Sequence, residues 1–121
     1  MKRLNPLHLF AAAIAAGALS LSMPVQAAGN VANGKALADK YNCFTCHGKD
    51  YNTPLDPSYP KLAGQHRDYL EHALTAYQRG NGAYGRNNAI MTGQVKPLSK
   101  QDIKDLAAYL HSLPGALVVH R

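Results

Sequence analysis

The 121-residue chain has no tryptophan, only two phenylalanines and only two cysteines. Little aromatic mass is therefore available for a core, and a chain this small struggles to bury enough apolar surface unaided. Disulfides, metals or a large cofactor commonly make up such a deficit. A long hydrophobic run is also missing. The apolar stretch from Leu9 to Leu21 covers thirteen positions, whereas a bilayer-spanning helix needs about 20. There is no dense Lys/Arg cluster, which argues against a nucleic-acid partner. No segment alternates polar and apolar residues as a half-buried strand does, so the pattern predicts an all-α chain.

The first quarter differs from the rest. Met1-Lys2-Arg3 opens it with two positive charges, the Leu9–Leu21 stretch follows, and Pro24 precedes Val25-Gln26-Ala27. This order of charged, apolar and small-residue segments predicts a secretory signal over residues 1–27, with cleavage after Ala27 or, next, after Ala28. The remaining 94 residues, 28–121, suit one small domain. Without Lys2 and Arg3 the thirteen bases become eleven against seven acids, a net charge of +4. That balance gives weak steering toward an acidic partner surface.

Both cysteines fall in Cys43-Phe44-Thr45-Cys46-His47. C-x-x-C-H is the attachment pattern of c-type haem. The two thiols form thioethers with neighbouring vinyl groups of the porphyrin, and the next residue offers an imidazole to the iron. A structural disulfide would also suit an exported chain. A thioredoxin-like redox pair would need a strand-helix-strand pattern that is missing. Zinc would need two further histidines, and His47 is poorly placed beside Cys46 for that purpose. Covalent haem, one per chain, agrees best with the motif, the export signal and the small core.

After cleavage Met91 is the sole methionine, 44 residues beyond His47. The Gly- and Asn-rich segment from Asn81 to Gly93 reads as a loop able to bring its thioether to the second iron face. Core filling is the ordinary role of methionine, and His66, His72, His111 and His120 compete as ligands. With His47 and Met91 both bound, no open iron position remains. Thioether ligation favours ferrous iron, which points to electron transfer and away from catalysis.

Three helices are predicted. The first covers Val31 to Asn42 behind Asn30 as N-cap, with Val31, Gly34, Leu37 and Tyr41 on one face. The second covers Arg67 to Arg79, with Leu70, Ala73, Leu74 and Tyr77 as its stripe and Gly80 at its end. The third follows Ser99-Lys100-Gln101-Asp102, a capping box with Asp in the last place, and carries Ile103, Leu106, Ala107 and Leu110 before Pro114-Gly115. Pro54, Pro57 and Pro60 mark the loop from Gly48 to Gly64, which is expected to wrap the proximal face of the cofactor.

Helix, C-x-x-C-H, proline-bearing loop, helix, methionine segment and capped last helix together resemble the class I cytochromes c. More narrowly, Tyr59-Pro60-Lys61-Leu62-Ala63-Gly64-Gln65 with Asp68-Tyr69-Leu70, and Leu98-Ser99 through Ala108-Tyr109-Leu110, resemble one lobe of the dihaem c-four type. Those relatives carry two C-x-x-C-H motifs and this chain carries one, so the resemblance implies a free-standing single lobe. It further implies that the Pro60 carbonyl accepts a hydrogen bond from His47, fixing the ring, and that Gly34 meets Tyr109 where the first and last helices cross. For haem propionates, which tryptophan often serves, Tyr51, Tyr59, Tyr84 and Arg86 are the substitutes. The expected function is periplasmic electron carriage between redox proteins with acidic docking surfaces, the chain not being integral to the membrane after cleavage. The alternative is a haem subunit of a periplasmic oxidoreductase complex. A gas sensor or peroxidase-like enzyme would instead require an open iron position.

Overall fold

A computed structural model describes residues 28–116; the expected signal segment and His120 lie outside them. Five helices follow in order: α1 (Val31–Lys40), α2 (Phe44–His47), α3 (Arg67–Arg79), α4 (Ala89–Val95) and α5 (Lys100–Ser112). Among the described residues there is no strand. None of their helices is long and apolar enough to cross a membrane.

Helix α5 is the centre of the packing: α1 and α3 both lie against it, and α4 lies against α3. Its start is fixed reciprocally. Ser99 Oγ accepts from the Asp102 N–H at 3.1 Å, and the Asp102 carboxylate accepts from the Ser99 N–H at 2.8 Å. Ile103, Leu106, Ala107 and Leu110 are buried as their spacing predicts, and Ala108 and Asp105 join them.

Asn30 caps α1, its side chain accepting from the Asn33 N–H at 2.9 Å. The buried face of α1 is Gly34 and Ala38, with Leu37 and Tyr41 partly covered. Val31, expected in this stripe, is 46% exposed. The reason is the closeness of the crossing. A Cβ on Gly34 would strike the Asp105 carbonyl and the Tyr109 Cβ, so only small side chains fit between the two backbones. Helix α1 ends two residues before the expected Asn42, which takes a left-handed φ of 53°. There the Cys43 N–H reaches back to the Ala38 carbonyl at 3.0 Å, and the chain turns into α2.

The segment expected as a loop through Gly93 contains α4, a correction to the sequence reading. Asn88 is its N-cap, accepting from the Met91 N–H at 3.0 Å. Gly93 weakens a helix in isolation, but tertiary contacts hold this one. Gln78 donates to the Val95 and Leu98 carbonyls at 2.8 and 2.7 Å, and Thr92 Oγ1 donates to the Tyr77 carbonyl at 3.1 Å.

The loop after α2 is ordered by local turns and by α5. Gly48 has φ 85°, and a Cβ there would strike the Thr53 carbonyl, so the turn after His47 requires glycine. The Asp50 carboxylate accepts from the Asn52 and Thr53 N–H groups and the Thr53 hydroxyl. These bonds, the Asn52 N–H first, hold its pKa below the usual value. Further along, the Gly64 N–H donates to the Leu110 carbonyl at 2.9 Å, tying the loop's end to α5.

Candidate cofactor site

Between α2, the loop, α3, α4 and α5 lies a cavity with ≈ 1320 Å³ of empty space, counting its open mouth. The lining draws on several helices and the loop and is mostly apolar, which suits a large planar cofactor better than a bare ion. Leu62, Leu70, Leu74, Val95, Leu98, Leu106 and Leu110 build its apolar walls. Cys43, Cys46, His47, Pro60 and Met91, all singled out in the sequence, line the same cavity.

Short helix α2 presents the motif. His47 is 6% exposed, and its Nδ1 lies 2.9 Å from the Pro60 carbonyl oxygen. A carbonyl only accepts, so Nδ1 carries the proton and Nε2 keeps its lone pair. The Tyr59 ring packs at 6.3 Å from the imidazole, tilted by 53°. The Cys43 and Cys46 thiols are unpaired and partly covered, so they form no disulfide here. Burial pushes the Cys43 thiol above its ordinary pKa.

Met91 is partly buried against the core at the third position of α4. Of the described histidines, only His47 lines the cavity: His66 and His111 border a separate shallow pocket, and His72 is exposed on α3. His111 Nδ1 instead donates to the Gln65 carbonyl at 2.8 Å. The candidates for propionates divide. Tyr59 and Arg86 line the cavity, whereas Tyr84 is 92% exposed and away from it. Tyr51 is a core residue, 2% exposed, packed edge-on against Tyr109 at 6.0 Å. Burial raises its phenol pKa well above the ordinary value.

Sequence reasoning missed Tyr69, Ile90 and Gln94 in the lining. Tyr69 sits four residues before Ala73, beside the Leu70–Leu74–Tyr77 stripe, so a broader reading of α3 would have found it. Ile90 and Gln94 were hidden by reading α4 as a loop.

Unpaired thiols, an imidazole with a free Nε2 and a thioether on one apolar cavity fit a covalently held metalloporphyrin. Fold and cleft together define a helical domain of the class I cytochrome c type. The chain belongs to the cytochrome c family, whose model matches residues 31–114. It is 45% identical over 80 residues to cytochrome c4 of Stutzerimonas stutzeri, covering 62% of this chain and 38% of that protein. To cytochrome c-554(548) of Halomonas halodenitrificans it is 44% identical over 86 residues, covering 70% of this chain and 98% of that one. The crystal structure of reduced recombinant cytochrome c4 from Pseudomonas stutzeri superposes with a TM-score of 0.66 at 38% identity, over 74% of this chain and 48% of that chain. The chain thus spans less than half the length of these cytochrome c4 relatives and almost all of the shorter one. Membership of the family, with the C-x-x-C-H pattern in place, makes it a protein of the covalent haem c type.

Proposed function

We infer that this is a periplasmic single-haem electron carrier, exported by residues 1–27. In this reading Cys43 and Cys46 hold the haem as thioethers, and His47 Nε2 and Met91 Sδ ligate its iron. The observation that carries the reading is the convergence of these four side chains on one apolar cavity, with the His47 ring already fixed by the Pro60 carbonyl. The bound haem supplies a one-electron ferrous/ferric couple.

The protein's own residues do the rest. The Pro60 carbonyl sets the His47 tautomer and strengthens its basicity. Leucines of α3 and α5 exclude water, and Asn88 with Gln78 and Thr92 fixes the helix that carries Met91. Filling both axial positions leaves no site for a substrate at iron, so transfer is outer-sphere. The net charge of +4 expected for residues 28–121 favours redox partners with acidic docking surfaces.

Absorption spectra of the oxidised and reduced matured protein test attachment and ligation together. Cys43→Ala and Cys46→Ala, produced with a haem-attachment apparatus, are expected to lose most of the two-thioether holoprotein. Normal yield of that species from either variant would contradict the assignment.

A further inference from the structure

The loop after α2 builds a fixed turn beside His47. The Leu55 N–H donates to the Cys46 carbonyl at 2.9 Å, fastening the loop to the motif helix. Asp56-Pro57-Ser58-Tyr59 then turns, with the Tyr59 N–H donating to the Asp56 carbonyl at 3.0 Å. Asp in the first place and Pro in the second suit such a turn, because proline presets its backbone angle. The Asp56 carboxylate adds a second tie, accepting from the Ser58 N–H at 2.7 Å. Pro60 follows and restricts the backbone of Tyr59 before it. A tyrosine side chain has only two χ angles, so this fixed backbone leaves its ring little freedom. That ring lies with its centroid 6.3 Å from that of His47, tilted by 53°, within the range where aromatic pairs attract. Among the described ring pairs it is the one that involves His47. His47 is 6% exposed, and its Nδ1 meets the Pro60 carbonyl at 2.9 Å. Adjacent residues thus hold the imidazole by two different contacts, one ring to ring and one a hydrogen bond.

We propose that Tyr59 is a positioning residue for His47: its ring braces the imidazole and keeps the Nδ1–H on the Pro60 carbonyl. The proposal rests on the haem reading above. A hydrogen bond to a carbonyl tolerates a broad range of directions, so the Pro60 oxygen by itself leaves the imidazole room to swing. The Tyr59 ring narrows that swing and fills space from which water would compete for the Nδ1–H. His47 Nε2, unprotonated in this tautomer, is then presented to the cavity in one orientation. The Tyr59 hydroxyl has no part in this. A propionate partner would act through that hydroxyl instead, so Tyr59→Phe separates the two roles.

Matured holoproteins of the wild type, Tyr59→Phe, Tyr59→Leu and Tyr59→Ala test this. The readouts are solvent exchange of the His47 Nδ1 proton, followed by nuclear magnetic resonance in the reduced protein, and the reduction potential. The neighbouring Gly48 N–H, which donates to the Phe44 carbonyl at 2.9 Å, is the reference for general loosening. In Tyr59→Ala the Nδ1 proton should exchange roughly two- to tenfold faster relative to Gly48, the worth of one aromatic contact. Tyr59→Phe should keep both wild-type exchange and wild-type potential. Should Tyr59→Ala fail to accumulate, Tyr59→Leu stands in, filling volume without an aromatic face, and its exchange should also rise. Unchanged Nδ1 exchange in these two variants would overturn the proposal. So would a Gly48 amide that speeds up equally, or a Tyr59→Phe protein whose potential departs from the wild type. Failure of the haem reading would show separately, as a wild-type protein lacking the covalent haem spectrum.

Discussion

Met91 and Asp105 show how differently single residues can matter to this chain. Met91 contributes one thioether at the start of α4, partly buried and facing the cavity. In Met91→Ala the distal site should open to water or be taken by another base, weakening the bias toward ferrous iron. A redox titration should show a lower potential, the sulfur-to-iron charge-transfer band should vanish, and carbon monoxide should bind readily. If band and potential both stay as in the wild type, another ligand such as His66 must be sought. Asp105 has no part in the cavity. It is 3% exposed and accepts from the Asn30 N–H at 2.8 Å, from Asn33 Nδ2, and from Gln101 Nε2 at 2.8 Å. Burial alone would raise its pKa, but the three hydrogen bonds together outweigh it and hold the carboxyl below its usual value. A depressed folded-state pKa stabilises the fold above the unfolded-state value, about 3.9, and that contribution is lost as pH falls through the folded value. Acid unfolding of the wild type should therefore include a component below about pH 4. Asp105→Asn should remove it and cost about 1–3 kcal/mol near neutrality. Melts at pH 7 and pH 3 measure both, and an unchanged acid profile in the variant would assign the transition to other carboxylates.

At the scale of the elements, α1 and α5 meet through glycine and alanine, and this junction ties the start of the domain to its end. Gly34→Ala would place a methyl against the Asp105 carbonyl and the Tyr109 Cβ. Backbone cannot yield there as a flexible side chain can, so the variant should lose about 1–3 kcal/mol or more by overpacking. A shift in the denaturation midpoint without a change in slope would register it, and wild-type stability would show that the helices separate freely. The same junction shows what the sequence could and could not tell. The capping box of α5, the stripe of α3 and the Asn30 cap are local patterns, and each corresponds to an element in place. Val31 misled because hydrophobicity counts for less than volume where backbones approach closely; Ala38 took its place. Helix α4 was illegible because its glycine and asparagines read as loop, while the bonds that hold it come from Gln78 and Thr92 to distant carbonyls. The site residues were legible for a different reason: C-x-x-C-H is a covalent requirement written contiguously. Arg86 was named in the sequence among the propionate candidates, but its place over the rings of Tyr69 and Tyr77 is set only by the folded chain.

For the molecule as a whole, the decisive fact is that the core and the cavity share their residues. Leu70, Val95, Leu98, Leu106 and Leu110 are buried in the core and also form the cavity wall. Much of the rest of the core is alanine, at positions 38, 63, 73, 107 and 108. Alanine brings helices together but supplies little apolar surface, at roughly 25 cal/mol per Å² buried. With no tryptophan in the chain, the cofactor is the largest apolar body available, and it binds the folded chain in preference to the unfolded one. The chain lacking haem should therefore be expanded, helical in part and without fixed packing. Far-ultraviolet circular dichroism should retain signal while near-ultraviolet bands broaden and a hydrophobic dye binds. Unfolding should lose its cooperativity and become sharp again only in the holoprotein. The crossing of Gly34 with Asp105 and Tyr109 is not part of the cavity lining and should survive longest, so hydrogen exchange in the haem-free chain should be slowest around that crossing and fastest in α4. A haem-free chain that melts cooperatively, with sharp near-ultraviolet bands, would mean that α1, α3 and α5 suffice as a core.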